Sequence, residues 1–336
     1  MKGDIFDAVV WTDPPLIVSR KTPRGPYAVR IADKATRVWL PLRGPREIRE
    51  RVGRSARRPM PEFPAPQLAG PVRKGLWMES GSSALMPQRP LIIEAFRLRW
   101  HDPQRTGDED GPWRPGQGFD DDVAPWLSLV RDWLAAWRHE ERGEVPQQPT
   151  PRIRMGRVGG RMVLHGGDNA TGGVHLARRP ISTPSELRAA FAAASSALEL
   201  PTEYALYGEA LAYAAGGRYR EAVISACGAV EVALAGCADA LLAKAGRNED
   251  ERGELLDRVS GVVDLYRLSA TTSEGLPVSL GQVKNRLAGP RNNAAHRGQA
   301  PSEETVRLAI ETARKMLNIS PLPSARSLIR MLGRHA

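Results

Sequence analysis

Cysteine is almost missing from this chain: two residues in 336, Cys227 and Cys237, with no Cys-x-x-Cys pair. That scarcity argues against a thiolate zinc site or a dithiol redox centre. The two lie ten residues apart in a stretch of helical periodicity, roughly 15 Å along a helix axis, too far to bridge within one helix. They read as small buried hydrophobes. Aromatic residues are also few, at 6%. No window reaches the roughly 18 unbroken apolar residues of a membrane span. Met1-Lys2-Gly3-Asp4 lacks the basic start and apolar run of a signal peptide. The expectation is a cytoplasmic protein with no membrane partner.

Common catalytic signatures are missing too. There is no Gly-x-Ser-x-Gly and no His-Glu-x-x-His. The glycine-rich stretch Gly156–Gly173 has neither the Gly-Lys-Ser/Thr of a phosphate loop nor an ordered dinucleotide turn. His165, Asp168 and His175 lack further ligands at metal-binding spacing and read as a surface hairpin. No cofactor and no metal are expected.

What is present divides into two textures. The net charge is +10; residues 185–336 hold 18 basic and 17 acidic residues, leaving 30 basic against 21 acidic in residues 1–184. A basic excess favours phosphate backbones. Arginine-rich codon usage produces the same excess, so charge alone does not establish a partner. All eight tryptophans lie between Trp11 and Trp137, and the proline run Arg57–Pro66 falls in the same half. Strands are expected at Ala28–Ile31, Thr36–Leu40 and Pro90–Trp100; in the last, Ile92, Glu94, Phe96, Leu98 and Trp100 alternate with Ile93, Ala95, Arg97 and Arg99. Further strands are expected within Arg152–Leu164 and at Gly173–Ala177. Trp126, Leu127, Val130, Trp133, Leu134 and Trp137 recur at helical spacing behind Asp120-Asp121-Asp122, which reads as the helix cap. Residues 1–184 are therefore expected to form a mixed α/β domain of undefined role, with sensing or RNA recruitment as the candidate roles.

From Pro184 onward the spacing predicts consecutive helices. Ser185 is expected to cap a helix over Glu186–Leu198. Thr202–Ala215 and Arg218–Lys244 follow, the latter with the stripe Val223, Ala226, Val230, Leu234, Cys237 and Leu241. Further helices are expected at Asp250–Leu268, after Pro301-Ser302, and over Ser324–Leu332 as a tail that closes the bundle. The fold class is α+β overall, with an all-α bundle over residues 185–336.

One segment carries chemistry: Gly289-Pro290-Arg291-Asn292-Asn293-Ala294-Ala295-His296-Arg297-Gly298. Pro290 suits the first position of a helical turn and Gly298 its end. Asn292 and His296, four apart, share a face, and the long Arg291 side chain reaches the same space. A permanent cation, an amide and an imidazole suffice to cleave RNA without a metal. The base removes the 2′-OH proton, the alkoxide attacks the adjacent phosphorus, and the 5′-oxygen leaves. Histidine titrates near neutral pH, and arginine grips phosphate oxygens as charge builds.

These residues resemble the HEPN (higher eukaryotes and prokaryotes nucleotide-binding) superfamily. Its ribonucleases carry Arg, four to six residues, then His, often with Asn after the Arg and Gly soon after the His. Here the match is Arg291, Asn292 and His296, then Arg297-Gly298. Tyr219–Glu231 resembles the family's early helix and Ser302–Leu317 its closing helix; the likeness covers about residues 185–320. Gly289-Pro290 departs from the pattern, since many members run a continuous helix there. The resemblance implies a HEPN-like bundle that dimerises, placing two Arg291–His296 sites at the interface. It further implies that Glu231 supports the site by pairing with Arg291. The activity implied is a metal-independent endoribonuclease, a toxin or antiviral-defence effector, with RNA as substrate and a sensor ligand or antitoxin as partner. The same resemblance accommodates a non-catalytic dimerisation or adaptor module, or a nucleotide binder.

Overall fold

The computed structural model describes residues 4–19, 21–32, 34–40, 91–102, 117–138, 153–157, 182–259, 261–270 and 275–333. The proline run 57–66, most of the glycine-rich stretch, His165, Asp168, His175 and the strand expected over 173–177 lie outside them. The described chain is α+β: mostly helical, with one antiparallel sheet. It divides into two compact units, residues 1–134, 146–199 and 324–336 in the first, and 135–145 and 200–323 in the second.

The first unit is built on five strands, β1 (Asp4–Val18), β2 (Tyr27–Ile31), β3 (Lys34–Trp39), β4 (Leu91–Asp102) and β5 (Ile153–Arg157), in the order β2-β3-β4-β1-β5. Every pairing is antiparallel. Alternation is visible in the burial: Tyr27, Val29 and Ile31 are buried while Ala28 and Arg30 are exposed. Phe96, Leu98 and Trp100 are likewise buried on β4. Against β4, the register of β1 slips between Trp11 and Leu16. Pro14 and Pro15 lie in that gap, and neither has an N–H to give to a ladder.

Helix α1 (Gln117–Arg138) starts ahead of the acidic triplet, so Asp120-Asp121-Asp122 lie inside it and are not its cap. Val123, Trp126, Leu127, Val130, Trp133 and Leu134 are buried as their spacing requires. Helix α2 (Pro184–Ser195) is capped by Thr183, two residues earlier than the Ser185 expected; Thr183 Oγ1 accepts from the Glu186 N–H while the Glu186 carboxylate accepts from the Thr183 N–H. Leu187, Ala190, Phe191 and Ala194 of α2 are buried. The Phe191 ring meets Tyr27 edge-on at 5.2 Å and Phe96 at 6.0 Å, and stacks on Trp126 at 5.4 Å. That aromatic contact is why the boundary falls after Glu199 and not at Pro184: α2 is bound to the sheet. The tail helix α10 (Ala325–Leu332) joins the same unit, packing on α2 with Leu328 fully buried, instead of closing the bundle.

The second unit contains α3 (Thr202–Ala215), α4 (Tyr219–Lys244), α5 (Glu249–Asp257), α6 (Gly261–Ala270), α7 (Leu280–Val283), α8 (Gly289–Arg297) and α9 (Glu303–Met316). Helix α4 is apolar enough to cross a membrane by length and composition, with mean hydropathy 1.6. Its Ala222, Val223, Ala226, Ala229, Val230, Ala233 and Leu234 are instead buried in the bundle core, and their small size lets neighbouring helices approach closely. The single helix expected over Asp250–Leu268 is two, α5 and α6. Gly261 breaks it, with φ of +76°, a conformation that costs a side-chain-bearing residue dearly. A five-residue π turn, Lys284–Ala288, joins α7 to α8, so the motif lies on a helix running unbroken from Leu280 to Arg297.

Phe191→Ala is expected to destabilise the sheet unit by about 3–5 kcal/mol. Thermal unfolding followed by tryptophan fluorescence, which reports this unit's buried indoles, checks it.

Candidate functional site

The motif's position follows from how the chain handles Pro290. Proline lacks an N–H, and its ring crowds the carbonyl four residues back, so it normally ends or kinks a helix. Here the helix widens by one residue: the Gly289 N–H reaches the Lys284 carbonyl, five residues back. A Cβ at position 289 would lie 3.1 Å from that same oxygen. Glycine therefore permits the wide turn, and the helix continues past the proline. Gly298 ends it, with its own N–H and that of Gln299 both returned to the Asn293 carbonyl.

On the last two turns the expected trio comes together. Arg291 Nη1 donates to Asn292 Oδ1 at 3.2 Å and lies 3.2 Å from His296 Nε2. A guanidinium only donates, so this contact requires Nε2 to accept and the imidazole to be neutral with its proton on Nδ1. Asn292 and His296 are exposed and Arg291 is half-buried. Ala294 is fully buried and anchors the helix. A polymer thus has access to the imidazole and the amide from solvent.

The whole helix is cationic. No Asp or Glu occurs between Glu274 and Glu303, while Lys284, Arg286, Arg291 and Arg297 all lie there. Among the described residues none of the four forms an ion pair, whereas Arg252, Arg258, Arg267 and Arg307 of the neighbouring helices each hold a carboxylate. Arg286 is close enough to α9 to help hold the Glu304 and Glu311 carboxyls below their usual range, after the nearer contributions of Arg307 and Lys315.

Glu231 is placed elsewhere than the pairing expected for it. It forms no ion pair with Arg291. Its Oε1 accepts from the Val262 N–H at 3.2 Å, at the start of α6, and from the Cys227 thiol at 3.8 Å. The carboxylate is an N-terminal cap supplied from another helix. Cys227 is buried, as its reading as a small hydrophobe requires, and both Glu231 and Arg291 act on its thiol. Burial first, then the Glu231 charge, push the thiol up to about 12, with Arg291 opposing. Its i,i+4 spacing to Glu231 is the sequence signal of their contact.

Among the described residues no group of three or more His, Cys, Asp or Glu side chains gathers closely enough to hold a metal ion. Compared with models of known families, with curated proteins and with solved structures, the chain matches none.

Two outcomes are expected here. Glu231→Ala strands the Val262 N–H and costs about 1 kcal/mol in chemical denaturation, while Glu231→Gln, which keeps an acceptor oxygen, retains most of that stability. The raised Cys227 value means the neutral thiol is the form the fold favours. Its contribution is complete below about 9 and is lost as pH rises toward about 12. Denaturation midpoints measured across that window should fall less steeply in Cys227→Ala.

Proposed function

We propose that this protein is a metal-independent endoribonuclease that cuts RNA at the Arg291–Asn292–His296 site, with a HEPN-like bundle as its catalytic unit. The observation that carries the reading is the 3.2 Å convergence of Arg291 on both Asn292 and His296 at a solvent-exposed helix end bearing unpaired cations. The chain order of α4, the motif helix and α9 supports it in the same sense.

In this reading, an arriving phosphodiester draws the Arg291 guanidinium off Nε2 and onto its non-bridging oxygens, a stronger charge-assisted contact. Nε2, freed as an acceptor, takes the proton of the ribose 2′-OH. The 2′-oxygen bonds to phosphorus and the P–O5′ bond breaks, leaving a 2′,3′-cyclic phosphate and a 5′-hydroxyl. Arg291 and Asn292 stabilise the charge that builds on the equatorial oxygens. A second copy of the chain, facing the first, supplies the acid that protonates the departing 5′-oxygen. A role as toxin or defence effector, held in check by a partner or a sensed ligand, fits such an activity.

Purified protein in EDTA should cut single-stranded RNA. His296→Ala is expected to lower the rate by about 10²–10⁴-fold, and Arg291→Ala by a comparable factor, with unchanged thermal unfolding because both side chains are at least partly exposed. Cleavage by His296→Ala at the parental rate would refute the assignment, and a persistent lack of cleavage by the parent would favour an adaptor or nucleotide-binding role.

A further inference from the structure

The π turn that carries the motif helix past Pro290 also decides which residues share a side of it. Two turns of α-helix take about 7.2 residues, and one wide turn adds a residue. Lys284 opens the wide turn, and Asn292 stands eight residues on. The two therefore line up, about 12 Å apart along the axis, where a straight α-helix would set them about 80° apart around it. His296 continues the row one turn further. Ala288, four residues from both Lys284 and Asn292, is half-buried, and Lys284, Asn292 and His296 are exposed. No large side chain of this row stands between the ammonium and the amide.

Among the described residues the Lys284 side chain joins no ion pair and no hydrogen bond, whereas Lys315 on α9 holds Glu311 at 2.8 Å. Its own helix supplies no carboxylate, since none occurs between Glu274 and Glu303. A cation already held by a carboxylate must surrender that partner to meet a phosphate; this one has none to surrender. The other cations of the helix are placed differently. Arg286 is close enough to α9 for the Glu304 and Glu311 carboxylates to feel its charge. Arg297 follows His296 by one residue, about 100° round the helix. Lys284 is thus the cation in line with the amide and the imidazole.

We propose that Lys284 binds a second phosphate of the RNA strand whose reacting phosphodiester sits at Arg291, Asn292 and His296. The strand then runs along the motif helix, with one phosphate gripped near its C-terminal end and a flanking one held two turns back. The two cations suit these tasks. Arginine's planar fork fixes the orientation of the phosphodiester that is attacked. Lysine is a point charge with three donors on a flexible stem, and it tolerates a flanking phosphate whose position shifts with the conformation of the strand. Neither contact reads a base, so the anchor favours cutting within a strand over cutting at a bare end and is indifferent to sequence. The proposal rests on the ribonuclease reading for the identity of the strand.

The test uses the full chain and a labelled 2′-O-methyl oligouridine about 20 nucleotides long, more than the roughly 4–16 nucleotides that one single-strand-binding fold covers. This probe has no free 2′-OH, so it reports binding whether or not His296 is catalytic. Lys284→Gln should weaken binding at low salt about fivefold, the worth of one charge pair at contact distance in water. The slope of log affinity against log salt should shrink by about 0.7, one phosphate contact on a single strand. Lys284→Arg should restore both, and Arg258→Gln, which removes an exposed arginine held by Glu254, should bind like the parent. On a cleavable strand, Lys284→Gln should raise KM by the same factor with kcat unchanged. No binding by the parent, or parental affinity and slope in Lys284→Gln, overturns the proposal. So does a fall in kcat alone, which would mean that the substitution acts through the helix. Weakened self-association at the parental slope would assign Lys284 to an interface between copies and overturn it as well. RNA cleavage by His296→Ala at the parental rate would remove the catalytic reading alone.

Discussion

Much of the site's geometry depends on one missing hydrogen. Pro290 has no N–H to give, and a straight α-helix would lose a bond and crowd a carbonyl at that point. The π turn over Lys284–Ala288 absorbs the defect by letting Gly289 reach back five residues instead of four. Beyond it the helix resumes, and its final two turns hold Arg291, Asn292 and His296 as a contacting group. Single π turns recur at functional sites because they distort a helix locally without ending it. The basic end of this helix is also stable where it stands: Arg297 occupies the last turn, where the helix dipole favours positive charge.

The bundle supports this end through α4. Alanines along α4 let the surrounding helices close in on it, so Leu287 and Ala294 of the motif helix are fully buried while the opposite side faces water. Glu231 and Cys227 belong to that support. The carboxylate closes the N-terminus of α6 and accepts from a thiol that also feels the Arg291 charge. A residue that the family resemblance nominates for catalysis here has a mechanical duty, which holds two helices in register beside the site.

Some of this is legible in the residues alone. Thr202–Ala215 and the long stripe after Arg218 declare their helices because periodicity and end signals agree. Asn292 and His296 share a face by spacing, and a long Arg291 reaches them. Other features are hidden for physical reasons. The alternation in β1 is obscured by its aspartates and by Pro14-Pro15, which belong to a register slip visible only against β4. Helix α2 is alanine-rich, and nothing in its own composition says whether Phe191 will meet a helix or a sheet; its partners Tyr27, Phe96 and Trp126 are distant in sequence. Gly261 inside an apolar pattern looks tolerable until its positive φ splits the helix.

The proposed chemistry leaves the nucleophile to the substrate and asks of the protein only a base and a cation. A DNA oligonucleotide carrying a single ribose, incubated with the full chain in EDTA, tests it most directly. One cut immediately 3′ of that ribose, with a 2′,3′-cyclic phosphate on the upstream product, is the result predicted. Cutting at deoxyribose positions, or cutting only when a divalent metal is added, would contradict it.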